Sequence, residues 1–185
     1  MRAHLAQDHR YAHTVRVARL ADRLAQRHGA DAHKARVAGL LHDLARLFGA
    51  ERLIAECEAR SMPIDAFERR NPIVLHARLG AELARERFGI DDEEVLSAIR
   101  RHTVAAPTMS QIDEIVYLAD GLEPGRDYPE REAFEALAFS DLKAAMFAVL
   151  RSSVAYLRGR DLEVAPQTLA ALAKYERLER RPLSA

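Results

Sequence analysis

No stretch of this 185-residue chain alternates apolar and polar side chains with the period of a strand; every periodic segment repeats at three and four residues instead. Val17, Leu20, Ala21 and Leu24 form one such stripe, closed by Gly29. Val37, Leu40, Leu41 and Leu44 form the next, behind Asp31 as N-cap. A third helix is predicted over about Ala50 to Arg60, ended by Met62-Pro63. Asn71-Pro72 reads as N-cap plus proline at the first helical position of a helix that stops at Gly89. Asp91 to Glu94 place negative charge on the first turn of a further helix, which favours its dipole. His102 to Met109 is predicted as a loop. Ser110-Gln-Ile-Asp113 then opens, in the manner of a capping box, the helix carrying Ile112, Ile115, Val116 and Ala119. Glu123 to Pro129 breaks that helix. After a short helix, Ser140 is predicted to cap a long one striped by Leu142, Ala145, Met146 and Val149 and ended by Gly159. Pro166 opens the last helix. The expectation is an all-α bundle with short connections, one domain over residues 1–185, with a core from about 11 to 168 and a short charged C-terminal tail.

Composition narrows the function classes. Apolar residues make up 49% of the chain and charged residues 30%, with a formal net charge of zero, so neither nucleic acid nor an anionic membrane is an expected partner. Cys57 is the only cysteine, which excludes an intrachain disulfide and a thiolate metal cluster. The first residues lack the apolar core of a signal peptide, and no apolar run reaches the roughly 18 residues of a membrane span. A cytoplasmic protein is the expectation.

Onto these apolar helical faces the sequence sets groups that are costly to bury unless something satisfies them. His42-Asp43 stands near the end of the run Val37 to Arg46 and flanks its stripe, predicting a central helix covered on several sides. His13 lies four residues before Val17. His76 shares a face with Ile73, Ala77, Gly80 and Ala84. His102 completes Val95, Ala98 and Ile99, and Asp120 follows Val116 by four. One such histidine alone is more often a core residue bonded to a carbonyl. Four histidines and two aspartates on five helices point instead to one shared, metal-filled site. The remaining histidines do not join them: His4 and His9 precede the first stripe, in a segment expected to be mobile, and His28 and His33 flank a polar turn.

The donors are nitrogen and oxygen, which suits Fe, Mn, Zn, Co, Ni or Mg. Six are too many for one catalytic metal that keeps an open position, whereas two metals sharing a bridging carboxylate use them fully. Asp43, rotated about 100° from His42 on a helix, is the natural bridge. Paired metals activate water and clamp both oxygens of a phosphoryl transfer. Arg16, Arg46 and Arg126 follow ligands closely in sequence and suit phosphate, each against even odds of being a solvated surface residue.

The ordered set His13, His42-Asp43, His76, His102 and Asp120 resembles the ligand pattern H…HD…H…H…D of the HD-domain metal-dependent phosphohydrolases. The flanks Asn71 to Ala81, Ile99 to Thr103, Met109-Ser110 and Tyr117 to Arg126 look like the YqeK-type branch, the bacterial symmetrical bis(5′-nucleosyl)-tetraphosphatases. The likeness runs from about Tyr11 to about Thr168. It implies an HD-domain helical bundle that cleaves diadenosine tetraphosphate and related dinucleotides into two ADP-type products, with a di-iron centre. By position, His13, His42, Asp43 and Asp120 would hold one metal, and His76, His102 and bridging Asp43 the other. Thr103, Arg16, Arg46 and Arg126 would lie near the phosphates, Arg16 and Arg46 stabilising developing charge, with Asp43 the proton acceptor only if not committed to metal. The branch usually has lysine where this chain has Arg46, and commonly a glycine within the stretch occupied by Val104 to Pro107.

Two other readings compete. A different HD-type nucleotidase or phosphodiesterase would act on another nucleotide, and a non-enzymatic binding module would use the histidines structurally. The stripe from Leu142 to Leu157 reads either as core or as the face of a homodimer.

Overall fold

A computed structural model describes the backbone of residues 2–180 and the side chains of residues 8–180. The elements are α1 (Arg2–Arg27), α2 (Ala32–Leu41), α3 (Ala50–Ala59), α4 (Ala66–Arg70), a 3₁₀ turn (Pro72–Val74), α5 (Leu75–Phe88), α6 (Glu93–Arg101), α7 (Gln111–Leu122), α8 (Arg131–Ser140), α9 (Leu142–Arg158) and α10 (Pro166–Glu179). No strand occurs among the described residues. No helix there is long and apolar enough to cross a membrane.

The helix buried on all sides is α7. Every residue from Ile112 to Ala119 is buried, and α1, α2, α6, α8 and α9 pack around it. The expectation of a central His42-Asp43 helix is corrected here: α2 contacts α1, α5, α6 and α7 yet leaves Leu40 45% exposed. Two buried clusters meet beneath the site. The larger joins α1, α2, α6, α7 and α9, and the smaller joins Ala45, Leu53, Cys57, Leu75, Leu79 and Leu83. Leu44 packs against both, anchoring the chain that leaves α2.

Local chemistry explains most boundaries. Asp31 caps α2 through Lys34 N, Ser110 and Asp113 form a full capping box on α7, and Gly89 ends α5 in the left-handed conformation at φ +64°. Several expectations are corrected. The pair His42-Asp43 falls just outside α2, His42 being its C-cap and Asp43 lying in the turns that follow. Pro72 opens a 3₁₀ turn before α5 rather than α5 itself. Ser140 ends α8, and the cap of α9 is Asp141, which accepts from the backbone of Lys143 and Ala144. The segment around His9 is helical, α1 starting well before its apolar stripe. The His4 side chain and the tail beyond residue 180 lie outside the described residues. Leu142, Ala145, Met146 and Val149 are buried in the chain's own core, so that stripe is core.

Candidate metal centre

Five segments bring the six expected ligands together. α1 carries His13, the C-cap of α2 and the turn after it carry His42 and Asp43, the first turn of α5 carries His76, the C-cap of α6 is His102, and the last turn of α7 carries Asp120. All four histidines are at least nine-tenths buried. Each uses Nδ1 away from the centre. His42 donates to the Gly39 carbonyl at 2.8 Å, His76 to Ile73 at 2.5 Å, His102 to Ile99 at 2.8 Å, and His13 to a carboxylate oxygen of Glu123 at 3.0 Å. Carbonyls and carboxylates only accept, so the proton sits on Nδ1 and every Nε2 lone pair faces inward.

Asp43 divides these nitrogens into two poles. Its Oδ2 lies 3.6 Å from His42 Nε2 and 3.9 Å from His13 Nε2. Its Oδ1 lies 3.3 Å from His76 Nε2 and 3.8 Å from His102 Nε2. Asp120 joins the first pole, its Oδ1 3.2 Å from His13 Nε2 and 3.9 Å from His42 Nε2. Burial together with His42 pushes the His102 imidazole down to about 3, leaving it neutral near pH 7.

The donor set fits divalent metal. The triads His13–His42–Asp43, His42–His102–Asp120 and Asp43–His76–His102 each place one ligand atom per residue within 4.8 Å of one another. His42 Nε2 is buried with no hydrogen-bond partner. His76 Nε2 and His102 Nε2 face each other at 3.1 Å. Opposed lone pairs and an orphaned acceptor are what a bound cation would satisfy, and nitrogen-oxygen sites of this kind suit first-row divalent ions.

Beside the ligands opens a cavity of about 330 Å³, walled in part by Arg10, Arg46, Thr103 and Arg126. Thr103 Oγ1 lies 3.2 Å from His76 Nε2 and 3.0 Å from His102 Nε2. Arg126 donates to Asp120 Oδ1 at 2.5 Å. Arg46 is half-buried on the cavity wall, and its side chain makes no hydrogen bond or ion pair with another described residue. Burial and the nearby Arg10 charge lower its proton affinity. Arg16 does not line the cavity; Glu123 holds its guanidinium. Arg100 and Arg101 point elsewhere, to Glu93 and Asp113, and His28 bonds the Ala138 carbonyl.

Two contributors escape the sequence reading. Arg10 donates to Asp43 Oδ2 at 2.8 Å, one helical turn before His13, a spacing that could have flagged it. Glu123 is 1% exposed and hydrogen-bonds His13, although in sequence it resembles any residue ending a helix.

A helical scaffold pooling four histidines and two aspartates beside an arginine-lined cavity defines a metal-dependent hydrolase. The chain belongs to the HD-domain family, whose model matches residues 10–125, a span holding all six candidate ligands. It is 35% identical to the symmetrical bis(5′-nucleosyl)-tetraphosphatase of Bacillus subtilis, covering 87% of this chain and 86% of the relative. It is 36% identical to the protein of that name from Halalkalibacterium halodurans, covering 92% and 90%. The crystal structure of a predicted HD superfamily hydrolase involved in NAD metabolism from Clostridium acetobutylicum matches it with a TM-score of 0.88 at 33% identity, covering 93% of this chain and 90% of that one.

Proposed function

We propose that this protein hydrolyses dinucleoside polyphosphates, diadenosine tetraphosphate foremost, into two ADP-type products. The observation that carries the reading is Asp43, one carboxylate facing two separate histidine pairs at the floor of a cavity walled by Arg10, Arg46 and Arg126. The relatives that bear this activity in their names span nearly the whole chain, which supports the substrate class.

His13, His42, Asp120 and Asp43 would hold one divalent metal, and His76, His102 and Asp43 the other. Iron is the leading identity by family resemblance; the imidazole and carboxylate donors by themselves suit Fe, Mn, Zn, Co, Ni or Mg. Such a pair supplies an activated water and neutralises charge on the phosphate under attack. Water adds to an internal phosphorus, the bridging P–O bond breaks, and the departing ADP keeps the bridging oxygen. Both Asp43 oxygens face ligand nitrogens, which favours Asp43 as the bridge rather than the proton acceptor.

The substrate's charge is met by the rim. The Arg46 side chain makes no ion pair among the described residues; Asp43 and Asp120 attract its charge from nearby while a second arginine opposes it, so a phosphate oxygen is the partner its position suits. About 330 Å³ is small for a nucleotide site, so the cavity suits the phosphates while the nucleosides lie outside it. Arg46→Gln removes a charge-assisted hydrogen bond of about 2 kcal/mol, an expected loss of roughly thirtyfold in kcat/KM with metal content unchanged. Steady-state kinetics with metal analysis checks this. Chromatography of the products tests the reading itself: ADP as sole product is expected, AMP with ATP rejects symmetrical cleavage, and inorganic phosphate favours a nucleotidase.

A further inference from the structure

We propose that Glu123 is a positioning residue that orients His13 toward its metal, and that Arg16 is part of its support rather than a contact for substrate. The inference rests on the metal-centre reading above. His42, His76 and His102 each bond the carbonyl three residues earlier, at or next to a helix end. His13 lies inside α1, where the carbonyls are engaged in the helix, and its Nδ1–H goes instead to a side chain 110 positions away. That acceptor is a carboxylate. A carboxylate behind an imidazole fixes its tautomer and makes Nε2 a stronger ligand than a carbonyl does.

Glu123 is held as a rigid group. Its Oε1 accepts from His13 at 3.0 Å and from Arg16 Nη2 at 3.3 Å. Its Oε2 accepts from Arg16 Nε and, at 2.6 Å, from Gly125 N. The chain folds tightly over this contact: a Cβ on Gly125 would stand 2.2 Å from Arg16 Nη2. In the same turn Arg126 reaches back to Asp120 Oδ1 at 2.5 Å. One turn after α7 therefore orients two ligands of one pole, His13 and Asp120, and touches no ligand of the His76–His102 pole by hydrogen bond.

The test is chelator competition with metal analysis on the Glu123→Gln protein, its folding checked by circular dichroism. One of two metals is expected to bind 10- to 100-fold more weakly while the other keeps wild-type affinity. General loosening of the fold would weaken both positions, and that result, or unchanged affinity at both, overturns the proposal. If Glu123→Gln does not fold, Arg16→Gln carries the test, since Arg16 is 30% exposed at its side chain and easier to replace. It is expected to weaken the same single metal position with KM within twofold of wild type. A raised KM with intact metal affinity would make Arg16 a substrate contact and overturn its assignment. Metal competition needs no substrate, so loss of metal in a protein inactive on diadenosine tetraphosphate would retire only the substrate reading.

Discussion

Replacing Asp43 by alanine is expected to empty both metal positions and to lower hydrolysis by about 10³-fold or more. The expectation follows from one carboxylate serving two poles. Oδ2 faces His42 and His13, and Oδ1 faces His76 and His102, at distances between 3.3 and 3.9 Å. Metal stabilisation of a phosphoryl transition state is worth several kcal/mol, and about 4 kcal/mol corresponds to roughly 10³ in rate. Asp120→Asn makes the informative contrast. Asp120 makes its nearest approaches to His13 and His42, with His102 farther off, so one metal should remain where Asp43→Ala leaves none. Elemental analysis beside the rate assay separates the two outcomes. Two metals retained by Asp43→Ala would refute the bridge, whatever happened to activity.

The six candidate ligands were legible as one cluster because burying imidazole and carboxylate on apolar helical faces is costly, and six such costs needed one explanation. Periodicity also places the helices that carry them, and Asp31, Ser110 and Gly89 end or begin helices as their chemistry predicts. What stayed hidden depends on tertiary contact. Glu123 ends α7 next to a proline, which any helix-ending residue could do; its meaning comes from His13 across the chain. Arg10 precedes the first apolar stripe, and its spacing to His13 is the one local mark that it faces Asp43. Arg16 stands three residues after a ligand, the spacing that suggested a phosphate contact, yet the neighbouring carboxylate takes its guanidinium. A short helix, α4, also went unread although Asp65 and Glu68 form a capping box for it, because five residues are too few to show a period.

Gly39→Val is expected to damage the same centre without touching a ligand. α1 and α2 pack so closely that a Cβ on Gly39 would stand 2.9 Å from Ala18 Cα and 3.2 Å from Ala18 N. Those are backbone atoms, so the strain cannot be relieved by a rotamer change, and the helices must separate. Replacing a helical glycine by alanine gains about 1 kcal/mol in propensity, whereas overpacking a tight core costs about 1–3 kcal/mol. Alanine already brings that Cβ against backbone, so its steric cost meets or exceeds the propensity gain. Valine adds two further carbons and loses part of the propensity gain, so sterics decide, at about 3 kcal/mol. For a chain of this size that is roughly 6–12 °C in Tm. The activity loss should exceed what unfolding explains, because α1 carries His13 and the Gly39 carbonyl orients His42. A shift of about 1 Å between reacting groups can cost roughly 10² in rate. Thermal melts with kcat measured well below the melting temperature check both parts. A Tm unchanged from wild type would mean the helices tolerate separation. A lowered Tm with full activity would mean that the placement of His13 against His42 does not depend on this contact.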